Sequence, residues 1–159
     1  MNIIVACCEK QGIGYKNTLP WHFKKDLKYF AKLTKGNGNN AIVMGKNTWN
    51  SLPRRPLPGR DNLVLSTTLD GNNCFKNIKQ LKEHINNKNY DEVWIIGGSQ
   101  IYQQFIEDND VKRIYLTNVE RNYECDTFFP KFSDDFLLID THSEMESETK
   151  LTFNVYEKN

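Results

Sequence analysis

Short apolar runs punctuate the first two thirds of the chain, at Ile3–Cys8, Ala41–Met44, Leu63–Ser66 and Val93–Ile96. Continuous runs of that length, bounded by polar segments, predict strands covered on both faces. Between several of them the spacing changes to helical, at Ile78, Leu81 and Ile85 and again at Ile101, Tyr102, Phe105 and Ile106. That alternation predicts an α/β fold, a largely parallel sheet with helices on its faces. The last third changes character. Val111–Thr117, Phe136–Thr141 and Leu151–Tyr156 read as strands with little helix between them, and are expected to add antiparallel edge strands. Leu151, Phe153 and Val155 alternate with Thr152, Asn154 and Tyr156, the pattern of a strand with one wet face. The Gly- and Asn-rich stretches 35–40 and 69–73 read as loops. No repeat and no linker divides residues 1–159, so one domain is expected.

One helical pattern carries an anomaly. In Leu19-Pro20-Trp21-His22-Phe23-Lys24-Lys25-Asp26-Leu27-Lys28-Tyr29-Phe30, an apolar stripe runs through Phe23, Leu27, Phe30 and Ala31, and Asp26 lies with it. An ionised carboxylate among aromatic rings is costly unless something pairs with it. No lysine stands three or four residues away to form a helix ion pair. Two readings follow. Asp26 either serves the unpaired N–H groups of the first helical turn, or it points into a cleft toward a ligand.

Four further segments could bind ligands. Val43-Met44-Gly45-Lys46-Asn47-Thr48 and Ile96-Gly97-Gly98-Ser99-Gln100-Ile101 both run from a strand through glycine into a helix. Glycine admits a ligand close to the backbone, and a helix start offers free N–H groups to phosphate, although such glycines also simply make tight turns. Pro56-Leu57-Pro58-Gly59-Arg60 holds an arginine on a stiff turn, suited to a carboxylate or else merely solvated. Gly12-Ile13-Gly14 and Asn17-Thr18-Leu19-Pro20-Trp21 look like a loop that could close over a ligand, unless Trp21 is only a core anchor. Neither a G-x-G-x-x-G nor a Walker A sequence occurs, which disfavours ordinary Rossmann and P-loop enzymes.

Bulk properties narrow the classes. Lys+Arg 21 against Asp+Glu 20 gives a formal charge of +1, no basis for general binding to nucleic acid or anionic membrane. No stretch approaches the length of a membrane span, and the N-terminal apolar run is too short for a secretory signal. Cys7, Cys8, Cys74 and Cys125 lack metal-type spacing and are expected as free thiols in a cytoplasmic protein, with no metal site.

In order along the chain, Ile13-Gly14, Leu19-Pro20-Trp21, Asp26-Leu27 with Phe30, Val43-Met44-Gly45 with Thr48-Trp49, Leu57-Pro58-Gly59-Arg60, Ile96-Gly97-Gly98 with Tyr102, Leu116-Thr117, and Asp126-Thr127 with Phe129-Pro130 resemble the dihydrofolate reductase family over nearly the whole chain. Aspartate at position 26 looks like the bacterial form. The resemblance implies a single domain with a central eight-stranded, mostly parallel sheet, an antiparallel C-terminal strand, about four flanking helices, and an adenosine-binding lobe over roughly residues 37–90. It implies NADPH as cofactor and hydride transfer from nicotinamide C4 to C6 of dihydrofolate, with protonation at N5. The product, tetrahydrofolate, belongs to one-carbon metabolism. A monomer and sensitivity to antifolate inhibitors are implied as well.

The same resemblance assigns roles. Asp26 would hold the pterin 2-amino group and N3, with Thr117 and Trp21 completing the catalytic set. Ile4, Val5, Ala6 and Ile96 would line the pterin and nicotinamide pocket, with Leu19, Leu27 and Tyr102 also on the substrate. Phe30, Ser51 and Leu57 would contact its middle portion, and Arg60 its glutamate α-carboxylate. Gly45, Asn47, Thr48, Gly97, Gly98, Ser99, Gln100, Ile101 and Tyr102 would cradle the cofactor. Ile13, Gly14, Asn17, Thr18 and Leu19 would approach it from a gate spanning Glu9 to Trp21. Lys46, Leu65, Ser66 and Thr67 would lie near its adenosine 2′-phosphate. Gly97 and Gly98 would be joined by a cis peptide. Position 46 is lysine where arginine is common, and position 47 asparagine where histidine is often found; lysine is the poorer fork for phosphate. The alternatives are a related pterin or pyrimidine reductase, for which Arg60 would have no task, and a non-catalytic nucleotide-binding module, for which Asp26 would have none.

Overall fold

A computed structural model describes residues 1–159. Ten strands and four helices follow one another as β1 (Asn2–Cys7), β2 (Gly12–Gly14), α1 (Lys24–Lys35), β3 (Ala41–Gly45), α2 (Lys46–Ser51), β4 (Asp61–Leu65), β5 (Cys74–Phe75), α3 (Ile78–Lys88), β6 (Val93–Gly97), α4 (Ser99–Phe105), β7 (Arg113–Val119), β8 (Thr127–Phe128), β9 (Phe136–Glu146) and β10 (Thr149–Lys158). Eight strands form one sheet in the order β5-β4-β3-β6-β1-β7-β10-β9, and β2 pairs with β8 in a separate ribbon. No helix is long and apolar enough to cross a membrane.

The four buried apolar runs are the sheet's interior. Ile3, Ile42, Val43 and Ile95 have no exposed surface. Alternation along β1 splits the core between the two faces. Ile3, Val5 and Cys7 pack with Leu81 of α3 and Ile101 and Phe105 of α4. Ile4 packs on the opposite face with Ile42, Met44 and the inner sides of Phe30 and Trp49.

The C-terminal strands depart from expectation. Arg113–Val119 is not an antiparallel edge strand: β7 pairs parallel with β1, Ile3 opposite Ile114. The reason is its connection. A helical crossover through α4 returns the chain to the same end of the sheet, and such crossovers join parallel strands. Only β10 runs against the others, and it is internal, between β7 and β9. Ser147 and Glu148, with φ of 50° and 61°, make the tight turn into it. Positive φ at both positions matches the hairpin turn favoured by strand twist, but neither residue is the usual turn-former, so no local cue marks it. The edge is β9, exposed along most of its length. The two-residue β5 and the β2–β8 ribbon are too short to show a pattern.

Two buried asparagines fix the segments around the cleft. Asn40 donates to the carbonyl of Thr34 at 3.1 Å near the end of α1 and accepts from the Glu92 amide at 3.0 Å. Asn62 accepts from the Leu57 amide at 2.9 Å and donates to the carbonyls of Leu57 and Arg60, each at 3.0 Å. The proline-rich connector is therefore clamped to β4 by one side chain. Asn62→Ala, which deletes all three bonds at a buried position, should cost about 3 kcal/mol in denaturant unfolding and loosen Leu57 and Arg60 together. A loss indistinguishable from zero would show that the connector is held by other means.

Candidate active site

The start of α1 decides where Asp26 points. Phe23 is its N-cap and offers no capping oxygen. The carboxylate of Glu146, from the far end of β9, accepts from the amides of Lys24 at 2.7 Å and Lys25 at 2.8 Å instead. Those amide bonds, the Lys25 one first, hold the Glu146 carboxyl below its ordinary range. With the helix start served from outside, Asp26 makes no bond to it and sits in the cleft wall. The first-turn capping reading of Asp26 is thereby set aside.

Asp26 is part open to the cleft, but protein surrounds its carboxyl on most other sides. Burial raises it from 3.8 to about 6; the Thr117 hydroxyl pulls the other way, and the Glu146 charge adds to the rise. Phe30 and Ala31 join Asp26 in this wall, as does Leu27, which is 43% exposed because its stripe faces the cleft rather than the core.

The cleft has a volume of about 1330 Å³. A single small-molecule site occupies roughly 300–1,000 Å³, so there is room for two ligands side by side. Ile4, Val5, Ala6 and Ile96 form its apolar floor at the C-terminal ends of β1 and β6, and Tyr102 stands behind them. The Tyr102 hydroxyl donates to the Ile4 carbonyl at 2.8 Å, and burial holds its phenol well above the ordinary range. At one end, Ser51 and Leu57 lead to Arg60. The guanidinium of Arg60 is pinned, donating through Nε to the Pro58 carbonyl at 2.9 Å and through Nη1 to the Thr34 hydroxyl at 2.7 Å. Burial lowers its pKa.

The other end is built on two glycine turns. Strands β3 and β6 are neighbours, with Met44 opposite Gly97, so their glycine ends open side by side. Neither α2 nor α4 has a side-chain cap at its start. A Cβ on Gly98 would meet only the Thr48 hydroxyl at 3.6 Å, which leaves a shallow cradle there. Gly97 has φ of 111°, and a Cβ on it would press to 2.9 Å from the Tyr102 ring, so both its conformation and its space require glycine. The Gly97–Gly98 peptide is cis. Gly45, Asn47, Thr48, Ser99, Gln100 and Ile101 line this half. Beyond them stand Lys46, Leu65, Ser66 and Thr67, with Lys46 Nζ donating to the Thr68 hydroxyl at 3.2 Å.

Ile13, Gly14, Asn17, Thr18 and Leu19 cover the cleft from the gate segment. That segment is docked on the chain around β8. The Asp126 amide donates to the Gly14 carbonyl at 2.9 Å, and the Asp126 carboxylate accepts from the Lys16 amide at 2.9 Å.

Three of the expected residues do not form the wall. Thr117 lies behind Asp26 on β7, buried. Gly97 supports Gly98 without lining the cleft. Trp21 is packed in a second core with Cys8, Phe23, Val119, Leu151 and Phe153, its ring 5.3 Å from that of Tyr123. Its buried Nε1 has no protein partner. The sequence reading missed Leu52, Pro53, Thr68, Lys76, Asn77, Ile78, Gln104 and Thr127, which also line the cleft. Lys76 to Ile78 enter at the start of α3, far along the chain from Lys46, and carry no motif that marks them.

A cleft with an acid on one wall and a phosphate-type cradle at the other end defines a nucleotide-dependent enzyme acting on a small heterocycle. The sequence model of the family described as dihydrofolate reductase matches residues 1–158. The chain is 36% identical to the dihydrofolate reductase of Drosophila melanogaster, covering 99% of this chain and 97% of that protein. It is 36% identical to the viral dihydrofolate reductase of Saimiriine herpesvirus 2, covering 99% and 84%, and 32% identical to that of Gallus gallus, covering 99% and 96%. The chain belongs to the dihydrofolate reductase family.

The raised Asp26 carboxyl has a thermodynamic signature. The folded protein holds this proton more tightly than the unfolded chain does. The resulting penalty is absent below about pH 4 and complete above about pH 6. At about 1.36 kcal/mol per tenfold change in acidity, the rise from 3.8 to about 6 corresponds to at most about 3 kcal/mol. Asp26→Asn should therefore be more stable than the wild type at pH 7.5 and equal to it near the acid end of that window. Unfolding midpoints that differ by the same amount at every pH would contradict it.

Proposed function

We infer that the protein catalyses the NADPH-dependent reduction of 7,8-dihydrofolate to tetrahydrofolate. The observation that carries this is the carboxylate of Asp26 in an apolar wall across the cleft from the Gly45 and Gly97-Gly98 cradle. When bound, the reduced nicotinamide supplies the hydride. Asp26 grips the amino edge and N3 of the pterin, and its charge stabilises the protonated ring while water delivers the proton at N5. Thr117 steadies the carboxyl, and Ile4, Val5, Ala6 and Ile96 exclude water from the reacting face. Trp21 acts from behind the wall, fixing the gate's end. Gly45, Thr48, Gly98 and Ser99 hold the pyrophosphate, and Lys46, Ser66 and Thr67 the 2′-phosphate. Arg60 takes the substrate's α-carboxylate.

Antifolates that copy the pterin edge are expected in the same cleft. A monomer is proposed as well, and four free thiols support a reducing compartment such as the cytoplasm. The bacterial form rests on the aspartate at position 26 alone, since the relatives named above are animal and viral.

NADPH absorbance followed on adding dihydrofolate tests the reaction, and absence of oxidation above background would refute it. Asp26→Asn should lose roughly a hundredfold or more in rate at pH 7 and recover part of it in acid, where substrate arrives protonated. A uniform loss across pH would remove Asp26 from this role. Arg60→Lys should raise the KM for dihydrofolate roughly tenfold or more, by losing a charge-assisted fork. It should leave a pteroate analogue without the glutamate unaffected, and an equal effect on both would place the carboxylate elsewhere.

A further inference from the structure

One pair of side chains outside the cleft has chemistry that the reduction does not use. Cys8 Sγ lies 3.6 Å from Cys125 Sγ, although 117 residues separate them. The remaining thiols are placed differently: Cys7 is fully buried in the main core, and the Cys74 thiol meets only the Asn73 side chain. Cys8 lies between the end of β1 and the gate, while Cys125 belongs to the segment entering β8, on which the gate docks. Gly12 of the gate rests directly on both sulfurs. A Cβ there would fall 2.4 Å from Cys125 Sγ and 2.8 Å from Cys8 Sγ. The Cys8 amide donates to the Gly12 carbonyl at 2.9 Å, which closes a small loop over the pair.

We propose that Cys8 and Cys125 are a redox-active dithiol, a modification site for low-molecular-weight disulfides that staples the root of the gate to the segment it docks on. Cys125 is the partly exposed member and meets the reagent; Cys8 is buried and resolves. The Cys125 thiolate attacks one sulfur of the reagent and expels one thiolate. Cys8 then gives up its proton and attacks the Cys125 sulfur, expelling the second. Two S–H bonds are lost and one S–S bond forms, and the reagent is reduced to two thiols. Closure needs the sulfurs to approach from 3.6 Å to about 2.05 Å, a movement within reach of side-chain rotation and a small shift of the two loops. Burial and the Cys8 contact hold the Cys125 thiol high, at about 11, so exchange is slow at neutral pH and faster in mild base.

The test incubates the folded protein with oxidised glutathione in mild base. The expected product has lost two hydrogens by intact mass. Its thiol titre in denaturant falls from four to two, a peptide map joins 8 to 125, and dithiothreitol reverses all three. Cys8→Ser should instead stop at a glutathione adduct on Cys125, and Cys125→Ser should leave Cys8 unmodified and form no bond from it. Four surviving thiols, an adduct that persists on wild-type Cys125, or a bond to Cys7 or Cys74 would each overturn the proposal. The consequence for turnover rests on the function inferred above: the stapled enzyme should release cofactor more slowly than the reduced one, and Cys125→Ser should be indifferent to glutathione. A staple that forms in a protein inert toward dihydrofolate would sink that function and leave the thiol site standing.

Discussion

The site depends on keeping a carboxyl group where water would not choose to leave it. Asp26 stands in the first turn of α1, a position from which a carboxylate ordinarily turns back onto its own helix. It does not, because Glu146 already occupies the amides of Lys24 and Lys25. One acid, drawn from the far end of the chain, satisfies the backbone and leaves the other poised among apolar side chains. The raised pKa of Asp26 follows from the same arrangement, since burial is its main cause and the Glu146 charge adds to it. The folded state is less stable for holding this group, and the cleft gains a strong acceptor for a flat heterocycle.

Around that constraint the sheet works as a ruler. Neighbouring strands β3 and β6 both end in glycine, with a one-residue slip that sets Met44 opposite Gly97, and the two turns that follow open onto the same space. The floor between them and Asp26 comes from Ile4, Val5 and Ala6 of β1 and Ile96 of β6, while the alternation along β1 divides the core between the two faces of the sheet. Asn62 performs the corresponding task for the irregular connector. It turns a proline-rich segment without regular structure into a fixed mount for Leu57 and Arg60.

Much of this was legible in the residue pattern. The four buried parallel strands announced themselves because both faces are covered and the runs are unbroken. Asp26 was visible as an intruder on an apolar stripe, and Gly45, Gly97 and Gly98 as breaks between strand and helix. Other parts were hidden for physical reasons. The direction of β7 is set by the crossover before it, not by its own side chains. The turn at Ser147 and Glu148 adopts a left-handed conformation with residues that seldom signal one. Glu146 as the cap of α1, Lys76 at the Lys46 end of the cleft, and Cys125 beside Cys8 are all meetings of distant segments, and no local periodicity encodes them.

The placement of β10 has a temporal meaning. It lies between β7 and β9, yet it follows both in the chain. A ribosome extruding this polypeptide delivers the two flanking strands first and the strand that joins them afterwards. Until the hairpin closes, β9 has no partner, and its terminal glutamate has no reason to reach the waiting helix. The nascent chain can therefore carry every residue of the binding cleft while its decisive acid is still free to turn the wrong way.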